Sequence, residues 1–187
     1  MENNNLTLIG NKHTTDKGTI HYEAHGYTEI YGKYISDKIP CKLLEIGIWH
    51  GDSIRMWNEY NPNIDLYAVD IDPNIHNYMN GNEHFKFYLG DQSDEKLIIN
   101  ILNDSQNGID FVIDDGSHNH DDILNTFKFL FPRMKSGSVY FIEDLHAGHA
   151  FKDKLIGNLF LEISKNNIKL SECEFFCNGK LLMFKKL

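Results

Sequence analysis

Carboxylates and imidazoles hold cations and move protons near neutral pH, and this sequence sets them at the ends of two apolar runs. The first is FVIDDGSH, Phe111 to His118, in which apolar residues lead into Asp114, Asp115, Gly116, Ser117 and His118. Such a run reads as a buried parallel strand, Ile109 to Ile113, that ends at a reaction site, with Asp114 to His118 as the loop leaving its C-terminal end. The second is Val139 to Ile142, from whose end hang Glu143, Asp144 and His146. Two neighbouring strand tips would then offer up to four carboxylates and two imidazoles to one pocket. Like charges disfavour one another's ionisation, so this gathering calls for a compensating cation.

Carboxylate oxygens suit a hard divalent ion that keeps positions open for a ligand. His118 stands three residues beyond Asp115, where an imidazole can act as a base. A competing arrangement adds His120, His146 and His149 to the carboxylates as a transition-metal site, which would fit a non-haem oxygenase or a hydrolase. Ser117 beside His118 imitates a nucleophile, but no GxSxG elbow surrounds it.

A ligand site is also written upstream. Lys42 to Ile46 reads as a strand that turns through Gly47 to Gly51 into a helix led by Asp52 and Ser53. The next strand, Leu66 to Val69, ends in Asp70, the position from which a βαβ unit grips ribose hydroxyls. Trp49 replaces the middle glycine of the dinucleotide fingerprint, which favours a single nucleoside as ligand. A third strand, His84 to Leu89, would deliver Asp91 and Gln92 to where a base is hydrogen-bonded; the equally ordinary alternative is that Ser93 or Asp94 simply caps the helix Glu95 to Leu102. Thr15-Asp16-Lys17-Gly18 is hard to explain as packing and reads as a loop that touches a ligand.

The elements needed to position these groups follow in order. Residues 1 to about 12 read as frayed or as a short lead-in, and Tyr27, Ile30, Tyr31 and Tyr34 predict a helix from about Tyr22 to Ile35, broken by Pro40. Further helices are expected over Asp121 to Phe131 and Phe151 to Asn166. The tail, Ile168 to Phe176 and Lys180 to Lys185 about Asn178-Gly179, reads as a hairpin. Cys41, Cys173 and Cys177 form no CxxC pair and are expected in strands or the core. At 187 residues the chain is expected to form one domain, its first 40 residues contributing to the site. A net charge of -9 argues against nucleic acid and a membrane surface as partners, and the sequence reads as cytoplasmic.

TDKG, LLEIGIWHGDS, AVDIDP, FVIDDGSHNH and GSVYFIEDLH together resemble the class I S-adenosylmethionine-dependent methyltransferases. They are most similar to the metal-dependent sugar O-methyltransferases that act on deoxysugars of macrolide and aminocoumarin antibiotics and on bacterial glycans, whose relatives are often labelled cephalosporin hydroxylase-like. The resemblance runs from about Thr15 to the C-terminal hairpin. It implies an α/β fold: a Rossmann-like, doubly wound, mostly parallel seven-stranded sheet closed by an antiparallel C-terminal hairpin. It also implies that Glu45 and Gly47 line the methionine moiety of S-adenosylmethionine, that Asp70 holds its ribose, and that Asp91 and Gln92 approach its adenine. Lys17, Gly18 and Asp114 join this cofactor-binding set, Asp114 chiefly by hydrogen-bonding the loop. Asp115, Glu143 and Asp144 resemble the magnesium ligands and His118 the general base, with Asp115 counted in the catalytic pair. A sugar acceptor and a homo-oligomer are expected. The loop after Asp144 is short for this family, and that shorter lid implies a more open acceptor site or one completed by a neighbouring subunit; no large N-terminal extension is expected. A methyltransferase fold that binds a nucleoside without turnover is a third reading, which the intact DDGSH and IED do not favour.

Overall fold

The structure is a computed structural model that describes residues 5–79, 81, 83–106, 108–145 and 152–187. Its centre is a seven-stranded sheet: β1 (Cys41–Ile46), β2 (Ile64–Asp70), β3 (Lys86–Leu89), β4 (Phe111–Asp114), β5 (Val139–Ile142), β6 (Leu170–Phe176) and β7 (Leu181–Lys186). The spatial order is β3-β2-β1-β4-β5-β7-β6, with β1 to β5 parallel and β7 antiparallel to both β5 and β6. The chain reverses its winding between β1 and β4, the switch point outside which ligands bind in such sheets.

Register makes that point a site. Ile46 pairs with both Val69 and Asp114, and Asp114 pairs with Ile142. The residues that follow, Gly47, Asp70, Asp115 and Glu143, therefore leave the sheet on one level.

Successive side chains of a strand face opposite ways, so each face of the sheet carries its own core. One face packs Leu44, Ile46, Val112, Tyr140 and Ile142 against α4 (Glu95–Asp104), α5 (His120–Leu130) and α6 (Lys152–Lys165). The other packs Leu43, Ile113 and Phe141 against α1 (Asn5–Lys12), α2 (Thr28–Tyr31) and α3 (Asp52–Tyr60), around Trp57, Tyr27 and Tyr31. Asp94 caps α4 by accepting from Lys96 N, and Asn119 caps α5 by accepting from Asp121 N.

The N-terminal expectations need correction. Residues 5–12, expected to fray, are a helix, because burying Leu6 and Ile9 against α3 contributes about 1.5–3 kcal/mol for each side chain, enough to override a polar composition. The long helix expected over Tyr22 to Ile35 shrinks to the single turn of α2 and the turns after it. Before it the backbone bonds outward instead: His25 N donates to Asp16 O, Gly26 N to Gly18 O and Thr28 N to Lys17 O. Gly26, at φ +74°, sits in the left-handed region that a helix cannot use. Of the cysteines, Cys41 and Cys173 lie in strands as expected, Cys173 on an exposed position, and Cys177 departs as a half-buried turn residue.

Candidate active site

A cleft of about 520 Å³ opens over the C-terminal ends of β1, β2, β3 and β4, within the range of small-molecule and cofactor sites. Its floor at one end is apolar, with Ile46, Val69, Ile71 and Ile75, and Asp70 and Asp91 stand beside it. At the other end are Asp115, His118 and Asp144.

Asp70 is oriented before any ligand arrives. Its Oδ2 accepts from Ile48 N at 2.9 Å and Trp49 N at 3.2 Å, and its Oδ1 from Asp72 N at 2.9 Å. Each carboxylate oxygen has two acceptor positions, so Oδ1 keeps one for a hydroxyl. The loop that supplies these amides is shaped by Gly47, at φ +79°, where a Cβ would stand 2.1 Å from the Asp115 carbonyl oxygen. Glycine alone permits that approach of β1's exit to β4's exit. Asp91 is half committed: its Oδ1 takes Ser93 N and Ser93 Oγ, bonds that hold its pKa below the usual carboxylate range.

At the reaction end, His118 Nε2 lies 3.9 Å from Asp115 Oδ1 and 3.9 Å from Asp144 Oδ2. Among the described residues these three offer ligand atoms within 4.8 Å of one another, a set able to hold a metal ion. Both His118, at φ +55°, and Asp144, at φ +53°, adopt the left-handed backbone that non-glycine residues rarely use, a conformation that concentrates at functional sites. Asp144 is further gripped by Tyr27, whose hydroxyl donates to Oδ1 at 2.7 Å, and by His25, with Nε2 at 3.6 Å.

Behind this surface lies a buried ionic cluster. Lys17, 2% exposed, donates to Asp115 Oδ2 and to Glu143 Oε2 at 2.9 Å, and its Nζ lies 3.7 Å from Glu45 Oε1. Burial would lower the ammonium's pKa, but Asp115, Glu143 and Glu45 outweigh it and hold it well above the ordinary value. The other oxygen of Glu143 accepts from Tyr31 OH at 2.5 Å. Burial pushes Glu143 above the usual carboxylate range, the charge of Asp115 adds to this, and Lys17 opposes both. Burial likewise pushes Glu45 up to about 7, and the charge of Lys17 and the side chains of Ser53 and Trp57 oppose that rise.

The structure thus brings Gly47, Asp70, Asp91, Gln92, Asp115, His118 and Asp144 to one cleft and sets the other expected residues behind or beside it. Glu45 is fully buried on Lys17, and Glu143 faces Lys17 and Tyr31. Gly18 is packed against Asn11, while its neighbour Asp16 lines the cleft. Asp114 lies under the wall, accepting from Tyr140 OH at 2.8 Å and Gln92 Nε2 at 3.0 Å, and burial pushes it up to about 7. Gln92 is a strut as much as a lining residue: it also donates to Thr126 Oγ1 and accepts from Ser117 N at 2.8 Å. His120 stands in a neighbouring hollow beside Lys154 and Asn158, and His146 and His149 lie outside the described residues.

Sequence reasoning saw Tyr27 and Tyr31 as a packed stripe, which their rings are, and missed that their hydroxyls end on Asp144 and Glu143. It missed His25 altogether. The only signal available was the density of His and Tyr between His21 and Tyr34, which marks a segment without saying what it touches.

Known proteins resemble this chain in sequence and in fold. Residues 44–145 match a family described as methyltransferase domain. The demethylmacrocin O-methyltransferase of Streptomyces fradiae is 30% identical over 149 residues, covering 75% of this chain and 36% of that protein. An 8-demethyl-8-alpha-L-rhamnosyl tetracenomycin-C 2'-O-methyltransferase of Streptomyces olivaceus is 30% identical over 156 residues, covering 77% and 38%. The chain therefore spans little more than a third of the length of these curated relatives, 36% and 38%. Among solved structures, the MycE methyltransferase from the mycinamycin biosynthetic pathway, in complex with Mg, SAH and mycinamycin VI, superposes with a TM-score of 0.76 at 23% identity. That superposition covers 97% of this chain and 54% of the other, and shows a common fold. The family match begins in β1 and ends just past Asp144, so it takes in more than half of the chain and every residue at the reaction end of the cleft. On that match, the chain belongs to the methyltransferase domain family.

Proposed function

We propose that this chain is an S-adenosylmethionine-dependent O-methyltransferase that methylates a sugar hydroxyl with the help of a divalent cation, magnesium by preference. One observation carries the reading: a single cleft joins a nucleoside end, built on pre-oriented Asp70, to a reaction end where two carboxylates and an imidazole converge. The relatives' names are all those of O-methyltransferases, and one of them, that of a rhamnosyl tetracenomycin, favours a sugar as acceptor.

The residues present fit both groups. Asp70 keeps a free acceptor position for a ribose hydroxyl over an apolar floor suited to a nucleoside. Asp115 and Asp144 present hard oxygen donors to the cleft, the ligand type that magnesium takes while keeping water or substrate oxygens in its remaining positions. When bound, the sulfonium cofactor supplies an electrophilic methyl group and the cation lowers the pKa of a hydroxyl beside it.

The chain supplies the rest. Asp70 and Asp91 would hold the nucleoside end, in the same cleft as the carboxylates. Asp115 and Asp144 fix the acceptor end. His118 Nε2, between them, would take the proton of an acceptor hydroxyl held at this end. Holding two reactants in line converts a bimolecular reaction into an effectively unimolecular one.

The test is methyl transfer to a panel of glycosides in magnesium and in EDTA. His118→Ala is expected to lose about 10²-fold or more in turnover while S-adenosylhomocysteine binding by calorimetry changes less than about two-fold. Full activity of His118→Ala removes its role as base, and activity in EDTA removes the cation. The inclusion of His118 in the metal-holding set supports a second reading, a transition-metal centre. That reading requires tight iron or zinc binding and no sulfonium donor.

A further inference from the structure

Four carboxylates, Glu45, Asp115, Glu143 and Asp144, come from the ends of three adjacent strands, yet the cation that touches most of them belongs to the chain itself. Lys17 is brought in from 98 residues before Asp115 and 126 before Glu143, and its carbonyl is pinned by Thr28 N at 2.9 Å. Its ammonium divides Asp115 in two: Oδ2 is taken by Lys17, while Oδ1 faces His118 and the cleft. Both oxygens of Glu143 are occupied, one by Lys17 and one by Tyr31. Lys17 is also the cation at ion-pair distance from Glu45 among the described residues, at 3.7 Å.

We propose that Lys17 is a positioning residue for the cation site: a resident ammonium that holds Asp115 and Glu143 in place before a divalent ion arrives, and competes with that ion for their charge. The proposal rests on the divalent-cation reading above and goes beyond it in assigning the N-terminal loop a direct hold on the site. Its physical content is the sign of a coupling. A fixed positive charge in a poorly solvated cluster opposes the entry of a second cation, so it lowers divalent affinity while stabilising the empty site. A lysine that merely packed there would do neither selectively.

The experiment compares wild type, Lys17→Met and Lys17→Gln, the last keeping a hydrogen-bond donor without the charge. Magnesium affinity is read by calorimetry, and thermal midpoints are read in EDTA and in saturating magnesium. The expected result is magnesium binding tighter by about ten-fold or more in both variants, together with a fall in midpoint that is large in EDTA and mostly recovered with magnesium. Unchanged or weaker magnesium binding overturns the proposal. So does a loss of stability of equal size in both buffers, failure to fold in either included, since Lys17 is then a structural ion pair and nothing more. A wild type that binds no magnesium overturns the divalent-cation reading itself, and is told apart because it fails before any variant is compared.

Discussion

Gly47→Ala tests whether the close approach of two strand exits builds the cleft. The substitution acts twice. Alanine at φ +79° pays a left-handed penalty of about 1–2 kcal/mol. Its Cβ would also stand 2.1 Å from the Asp115 carbonyl oxygen and 2.8 Å from Gly116 Cα, where ordinary contact begins at 3.4 Å. The Asp115 loop must therefore retreat by roughly 1.3 Å, the difference between 3.4 and 2.1 Å, or strain in place at about 1–3 kcal/mol. At about 2–4 °C per kcal/mol for a chain of this size, the two effects together lower the thermal midpoint by roughly 4–20 °C. A displacement of about 1 Å at a reacting group costs on the order of 10²-fold in turnover. Gly137→Ala is the control, because Gly137 also has a positive φ, +82°, but a Cβ there meets nothing within 4 Å. It should show the conformational penalty without loss of methyl transfer. Differential scanning fluorimetry and a methyl-transfer assay on both variants decide the matter. If Gly47→Ala melts with Gly137→Ala and keeps its activity, the contact with Asp115 is not what positions the site.

Other consequences are equally direct. Asp70→Ala removes the oriented acceptor and releases Ile48 N and Trp49 N, so S-adenosylhomocysteine affinity should fall about ten-fold or more in calorimetry; unchanged binding would place the ribose elsewhere. Asp114 predicts a pH dependence. Burial raises it to about 7, so between pH ~4 and ~7 the folded state holds a proton that the unfolded chain has lost, and stability falls as pH rises through that window. Three pH units at ~1.4 kcal/mol each set an upper bound on the order of 4 kcal/mol, and Asp114→Asn should flatten the slope of midpoint against pH in EDTA. A variant with the wild-type slope would assign the effect to other groups such as Glu45.

Much of the fold was legible because its signals are local. Apolar runs of strand length, helical spacing and turn residues marked β1 to β7 and α3 to α6 to within a few residues, since burial on a regular element imposes its period on the sequence. Carboxylates at the ends of such runs marked the cleft for the same reason: the end of a parallel strand is where a polar residue meets a ligand. The short α1 and α2 were misread because long-range contacts decide them, Leu6 and Ile9 on α3 in one case and the bonds of residues 16–18 to 25–28 in the other.

The sequence by itself determined which residue types stand at which strand tips, and so the class of chemistry open to the protein. Tertiary structure alone decided how they divide the work. Register put Gly47, Asp70, Asp115 and Glu143 on one level, and two left-handed residues brought His118 and Asp144 face to face. Lys17, Tyr27 and Tyr31 became partners of Asp115, Asp144 and Glu143 across roughly a hundred residues of chain. Hydrophobic periodicity records which face of an element is buried. It carries nothing about which polar tip meets which, because that pairing follows from the packing of whole elements and the need of each buried charge for a partner.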